Sequence, residues 1–274
     1  VGSMHIKRAY DFGQDPEPDA VGLGLPGYVG HLSERVAALP EILRAAGYHT
    51  YMTGKWDLGR ALETTHMPVG RGFESSFALT TGSAVHLGFP DGNASGGIGR
   101  ADPNPYQENG VSVTTLPEDF FSTETYTNKL IDYIDENRED GRPFFAWLAY
   151  SAPHWPIQLP DDWRNRNAGR YGEGYDIVRQ QRFARAKKLG IFPPDLDLSS
   201  YEPGAPEWES LSSNERAIQS RAMELYAGMV ESMDFHVGRL ITYLKDTDQL
   251  ENTVVLFMSD NGADSGGLPP SRAT

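Results

Sequence analysis

The sequence predicts an α/β protein: a three-layer sandwich with a mainly parallel central sheet flanked by helices. Two patterns carry that expectation. Phe144 to Tyr150 is an unbroken apolar run of strand length, and Thr253 to Met258 is nearly one. Continuous rather than alternating hydrophobicity suits a strand buried on both faces. Around these runs stand long segments of helical period, and strands alternating with helices favour parallel pairing.

The elements follow in order. Residues 1–35 are rich in Gly, Pro and polar side chains without a sustained period, and read as loop. Leu39, Ile42, Leu43 and Ala46 share a helical face, with Pro40 in the first turn and Gly47 suited to a left-handed C-terminal position. Tyr48 to Thr53 follows as a short strand. A second helix runs from about Thr123 to Arg138, with Ser122 as its N-cap and Tyr126, Leu130, Ile131 and Ile134 as its stripe. Gly141 and Pro143 end it. Residues 153–211 hold much of the proline and one basic helix, about Asp176 to Lys188. A long helix then spans about Ser213 to Lys245, where Ser212 and Glu215 have capping-box spacing. Asp91-Gly-Asn93 lacks the later Glu of a calcium loop and reads as a turn.

Composition excludes several functions. The chain has 274 residues, with 24 basic and 38 acidic side chains and a net charge of −14. A duplex or an anionic leaflet would repel such an average surface, so neither nucleic acid nor membrane is expected as a partner. The stretch Arg164 to Lys188 has eight basic residues against two acids, but no aromatic ladder accompanies it, and it reads as a solvated or internally paired face. No apolar run reaches the ~20 residues of a membrane helix. There is no cysteine, hence no disulfide and no thiolate ligand or nucleophile. The chain begins at Val1 without a signal-peptide pattern and stops soon after a strand-like run, which reads as an internal fragment of a longer protein.

In a parallel sheet, ligand-binding residues gather beyond the carboxyl ends of the strands. Three such places carry chemistry. Lys55 follows Gly54 at the first strand end and can present a point charge to an anionic ester, or can simply be a snorkelling surface lysine. His154 sits among Pro153, Trp155 and Pro156, neighbours that suit either an imidazole donor or acid, or a structural histidine. Asp260 and Asn261 offer two hard oxygen donors suited to Ca²⁺, or form an ordinary Asp-Asn-Gly turn.

Taken together these segments resemble the sulfatase family, in its arylsulfatase branch. Ala46-Gly-Tyr48-His-Thr50-Tyr-Met-Thr-Gly54-Lys-Trp56-Asp-Leu-Gly59 is similar to the second sulfatase signature. Pro143-Phe-Phe-Ala-Trp-Leu-Ala-Tyr-Ser-Ala-Pro-His-Trp-Pro156 resembles the strand that delivers an active-site His. Thr253-Val-Val-Leu-Phe-Met-Ser-Asp-Asn-Gly262 resembles the strand that delivers the late Asp-Asn metal pair. Tyr226 to Arg239 resembles the long helix before it, and Gly27 to Arg35 and Gly72-Phe73 are similar to further family words.

The resemblance implies an alkaline phosphatase-like fold, incomplete here, and residues 1–274 as part of an N-terminal catalytic domain without its first strand, nucleophile motif or C-terminal domain. It implies a sulfuric ester hydrolase that uses a formylglycine made from Cys or Ser in Cys/Ser-x-Pro-x-Arg, with Ca²⁺ as cofactor. Lys55 and His154 would act in catalysis and bind the sulfate, and Asp260 and Asn261 would bind the metal. The substrate would be a small-molecule or carbohydrate sulfate ester, and a periplasmic or secreted location would follow. Three departures stand against a working enzyme. Neither Cys nor Ser-x-Pro-x-Arg occurs, so the formylglycine precursor is absent; the early metal acids are absent; and Asp57 stands at the family His position. A carboxylate ~5 Å from a sulfate oxygen would repel it by roughly 3 kcal/mol at an effective dielectric of 20. The fragment alone is therefore expected to be inactive and to hold calcium weakly. The alternative is a non-catalytic sulfatase-like module that binds a sulfated or phosphorylated ligand.

Overall fold

In the computed structural model, residues 31–59, 64–80, 84–88, 105–199 and 206–262 are described. The Asp91-Gly-Asn93 turn, the loop before His31 and the start of the Gly27 word lie outside them. The described residues fall into two units, those between 31 and 156 together with 233–262, and those between 157 and 232.

The first unit is built on β1, His49–Lys55, which is buried along almost its whole length. Strands β2, Ser75–Leu79, and β5, Phe144–Ala149, flank it in parallel. Strands β3, Tyr106–Glu108, and β4, Val111–Ser112, extend the β2 side antiparallel, giving the order β4-β3-β2-β1-β5. Alternate β1 side chains serve opposite faces, as the pleat requires. Tyr51 packs with Leu130, Tyr133 and Ile134 of helix α2, Ser122–Glu136, against Leu240 and Tyr243 near the end of the long helix. Met52 packs on the other face with Met67, Phe73 and Ala78, against Leu32, Val69 and Phe145. A mostly parallel sheet flanked by helices is the architecture expected from the sequence.

Two glycines answer to the backbone. Gly54 has φ +110°, and a Cβ there would run into the Ala149 carbonyl of β5, so only a side-chain-free residue lets the strands approach. Gly47 takes the left-handed position, φ +92°, just after helix α1, Leu39–Ala45. Arg71, 3% exposed, donates to Glu41 and to the Leu32 and Val36 carbonyls at 2.8–3.0 Å, which ties the 32–36 loop to α1. The Arg71 hydrogen bond holds the Glu41 carboxyl below its ordinary range.

The second unit contains the short helix α3, Asp161–Arg164, the basic helix α4, Tyr175–Lys188, and the first part of α5, Ser213–Asp246. The Ser212–Glu215 capping box forms as its spacing suggests, with the Glu215 carboxylate accepting from the Ser212 N–H at 2.8 Å and the Ser212 hydroxyl accepting from the Glu215 N–H at 3.3 Å. Helix α4 buries none of its residues, in keeping with a solvated basic face. No described helix is long and apolar enough to cross a membrane.

Four expectations change. Ser122 is the first residue of α2 rather than its cap, and the cap position, Phe121, makes no side-chain bond. Leu39 and Ile42 of α1 are 55% exposed, because Pro40 rather than the apolar stripe enters the core. Strands β2 to β4 were not legible, being short or begun by serines. Most important, Thr253 to Met258 forms no strand. It follows a 3₁₀ turn at Leu250–Asn252 with no ladder partner among the described residues, and Val254, Leu256, Phe257 and Met258 are 75–86% exposed. A strand exists only where a neighbour takes up its N–H and C=O groups. Strand β5 is likewise the outer strand of the described sheet, with Trp147 38% exposed.

The exposed 253–258 run and the outer edge of β5, which has no ladder partner among the described residues, predict self-association of the 274-residue chain. At roughly tens of micromolar, light scattering should give a mass well above 30.3 kDa. A Leu256→Asp/Phe257→Asp variant should shift the distribution toward monomer. A wild-type chain that stays monomeric would show that the run is covered.

A second prediction concerns pH. The buried His49 ring meets Glu74 at Nδ1, 2.9 Å, and Asp140 at Nε2, 2.7 Å. Burial would raise the Glu74 carboxyl, but the His49 hydrogen bond and the Arg142 charge more than offset this and leave it lowered. The Arg142 backbone N–H, then His49, lower Asp140. Carboxyls depressed in the folded state stabilise it above their unfolded values, and that stability is lost as pH falls through the folded ones. The melting temperature of the wild type should therefore fall more steeply below about pH 5 than that of His49→Leu. Equal slopes would mean that His49 does not hold these carboxyls.

Candidate functional site

Lys55 and His154 leave the sheet from adjacent parallel strands. In the β1–β5 register Gly54 lies opposite Ala149, so Lys55 and the 150–156 segment emerge from the same edge. The Lys55 backbone is fixed on both sides. Gly54 before it is pressed against β5, and the Trp56 N–H after it donates to the Leu79 carbonyl at 2.9 Å. The Trp56 ring, 2% exposed, anchors the turn by donating Nε1–H to the His66 carbonyl at 2.8 Å and by packing on Phe73 edge to face. The lysine of the Gly-Lys-Trp word is thus positioned by its two neighbours.

Lys55 Nζ stands 3.5 Å from Asp57 Oδ2, and both side chains are only partly exposed. Asp57 takes φ +45°, a left-handed conformation costly for most residues but tolerated by Asp. The chain thus turns back at once and returns the carboxylate to the lysine. An incoming anion must compete with this carboxylate for the ammonium.

His154 lies in a turn closed by its N–H to the Ser151 carbonyl at 2.9 Å. Its Nδ1 is 2.7 Å from the Trp155 carbonyl, an acceptor only, so Nδ1 carries the proton and Nε2 is the nitrogen left to meet a ligand. Behind the turn, His86 bonds the His154 carbonyl at 2.9 Å and Ser122 at 2.8 Å. The sequence reading missed His86; a lone His between Val85 and Leu87 carries no signal of its own.

Asp260 and Asn261 are placed differently. They follow the unpaired 253–258 segment rather than a strand end, and are exposed. Their described hydrogen bonds stay within 259–262: the Asn261 N–H to Asp260 Oδ1 at 3.0 Å, Asn261 Nδ2 to the Gly262 carbonyl at 2.7 Å, and the Ser259 hydroxyl to the Asn261 carbonyl at 2.5 Å. This is the turn-like arrangement of an Asp-Asn-Gly sequence. Their oxygens suit a hard cation, but calcium takes ~6–8 donors. No group of three His, Asp or Glu side chains that could hold a metal occurs among the described residues. The described residues do not by themselves make a calcium site.

A family model described as Sulfatase matches residues 12–273. This chain belongs to the sulfatase family. It is 42% identical over 247 residues to an uncharacterised sulfatase of Schizosaccharomyces pombe, covering 89% of this chain and 44% of that one. It is 39% identical over 241 residues to an arylsulfatase of Klebsiella aerogenes, covering 88% and 50%. The chain therefore spans about half the length of these curated relatives. Among solved structures, Ps i-CgsB bound to k-i-k-neocarrahexaose matches with a TM-score of 0.51 at 21% identity, over 80% of this chain and 38% of that one. That likeness supports the alkaline phosphatase-like fold.

For this sulfatase-family chain the Lys55–Asp57 pair yields a prediction. If the Asp57 charge opposes an anion at Lys55, Asp57→Asn should tighten inorganic sulfate about tenfold, since the Coulomb penalty is of kcal/mol order at this separation. Calorimetric titration at low ionic strength would read it. An unchanged affinity would place the anion away from Lys55.

Proposed function

We propose that this chain is the sulfate-recognising part of a sulfuric ester hydrolase of arylsulfatase type. The observation that carries the reading is the register of the parallel pair β1–β5, in which Gly54 faces Ala149, so that Lys55 and the segment bearing His154 both follow from the carboxyl edge. Lys55 supplies a fixed ammonium to the sulfate oxygens. His154, with Nδ1–H tied to the Trp155 carbonyl, offers Nε2 to the ester, donating a hydrogen bond when that nitrogen is protonated. Cations and donors placed before reaction favour the charge that gathers on oxygen as the ester bond breaks. The net charge of −14 could not provide this, so the local groups must.

The attacking group is absent from these 274 residues, which contain neither Cys nor Ser-x-Pro-x-Arg. A formylglycine nucleophile and a calcium ion, with Asp260 and Asn261 among its ligands, are proposed for the whole protein. Anion binding at Lys55 and His154 can be measured without either. A second reading, a non-catalytic module for a sulfated or phosphorylated ligand, is favoured by Asp57, which neutralises Lys55 in the ligand-free chain.

Titrating the chain with 4-nitrocatechol sulfate tests the first claim. Lys55→Ala should weaken binding about tenfold, the size of a lost charge-assisted hydrogen bond, and the wild-type chain should hydrolyse the ester no faster than Lys55→Ala. Unchanged binding would remove Lys55 from the site, and clear wild-type turnover would reveal a nucleophile within the chain. A longer chain carrying both Cys/Ser-x-Pro-x-Arg and these residues separates the two readings: the hydrolase turns over, and the module does not.

A further inference from the structure

His86 is 1% exposed and lies outside every sequence word that resembles the family. Its segment is held to the start of α2 by the Gly88 N–H to the Phe120 carbonyl and the Ser122 N–H to the His86 carbonyl, both 2.9 Å, and by the bridge between Leu87 and Phe121. The ring reaches the opposite way along the chain. Nε2 lies 2.9 Å from the His154 carbonyl, 68 residues on, while Nδ1 lies 2.8 Å from the Ser122 hydroxyl. A carbonyl only accepts, so Nε2 must carry hydrogen, and in the neutral ring Nδ1 accepts from Ser122. Burial, with a smaller effect of the nearby His154, holds the imidazole below its ordinary value against the opposing His154 hydrogen bond, which favours that neutral ring near neutral pH.

We propose that His86 is a positioning residue for His154: held by Ser122, its Nε2–H fixes the His154 carbonyl and so the placement of the His154 ring at the carboxyl edge of the sheet. Three bonds then determine the His154 residue: its N–H to Ser151, its Nδ1–H to Trp155 and its carbonyl from His86. The first two are local and move with the turn. The third refers the turn to α2, and through Tyr51 and the α2 stripe α2 is packed on β1, the strand that carries Lys55. The functional meaning rests on the reading of His154 as an ester-binding group; the geometric claim does not.

The test uses ¹⁵N-histidine NMR of the His154 ring in the chain, assigned with His154→Gln, and titration with inorganic sulfate. His86→Gln can still donate toward the His154 carbonyl, and should keep the His154 resonances and the sulfate affinity within about twofold. His86→Phe fills the volume without a donor, and should shift or broaden the His154 signals and weaken sulfate about fivefold, the range of one lost hydrogen bond. Wild-type His154 signals and affinity in His86→Phe would overturn the proposal, as would His86→Gln losing as much as His86→Phe. If sulfate does not bind even the wild type, the functional reading fails, and the His154 signals alone decide the positioning claim. If His86→Phe does not fold, Ser122→Ala, which frees one side of the His86 ring, should still broaden the His154 signals, and unchanged signals there would overturn it.

Discussion

The close approach of β1 and β5 at Gly54 is the constraint on which the rest of the described site depends. With φ +110° and no room for a Cβ against the Ala149 carbonyl, this position admits only glycine. The approach sets the register in which Gly54 faces Ala149, and hence the point at which the two chains leave the sheet together. Lys55 and the 151–154 turn follow from the same sheet edge because their strands are in parallel register, although the two residues stand 99 positions apart in the chain. The glycine of the Gly-Lys-Trp word has a steric cause here, and the tryptophan has one too, since its buried ring and Nε1–H lock the residue after the lysine.

Electrostatically the edge is a balance of few groups. An acidic protein offers an anionic ester little average attraction, so on the proposed reading recognition falls to the Lys55 ammonium and the His154 imidazole. Asp57 works against them. Its left-handed backbone brings the carboxylate back to Lys55, which makes the ligand-free pair internally satisfied and makes anion binding an exchange of partners. His86 belongs to a different layer of this arrangement. Buried and bonded at both nitrogens, it reaches His154 through that residue's backbone carbonyl, so its proposed part is positional.

The described sheet ends abruptly at β5. Its apolar run is only half covered, and the second continuous apolar run, residues 253–258, stands exposed without a ladder. Both have the composition of strands buried on two faces, and neither has two neighbours among the described residues. Asp260 and Asn261 inherit this condition. Their turn is formed, but the strand that would aim it is not, so the two oxygen donors carry no described geometry relative to Lys55 and His154.

The sequence by itself determined the fold class, because helical periods and apolar runs report burial locally: helices 122–136, 175–188 and 213–246 and strands 49–55 and 144–149 lie within a few residues of their expected bounds. It also determined Lys55 and His154 as candidates, since the Gly-Lys-Trp and Pro-His-Trp-Pro words are contiguous. Only the tertiary structure decided what depends on partners distant in the chain. Whether 253–258 is a strand depends on a neighbour that supplies hydrogen bonds, not on its own hydrophobicity. His86 became visible only when the fold brought its ring to the His154 carbonyl, 68 positions on in the chain. The role of Asp140 followed the same rule: the fold places its carboxylate 2.7 Å from the buried ring of His49, 91 positions away in the chain.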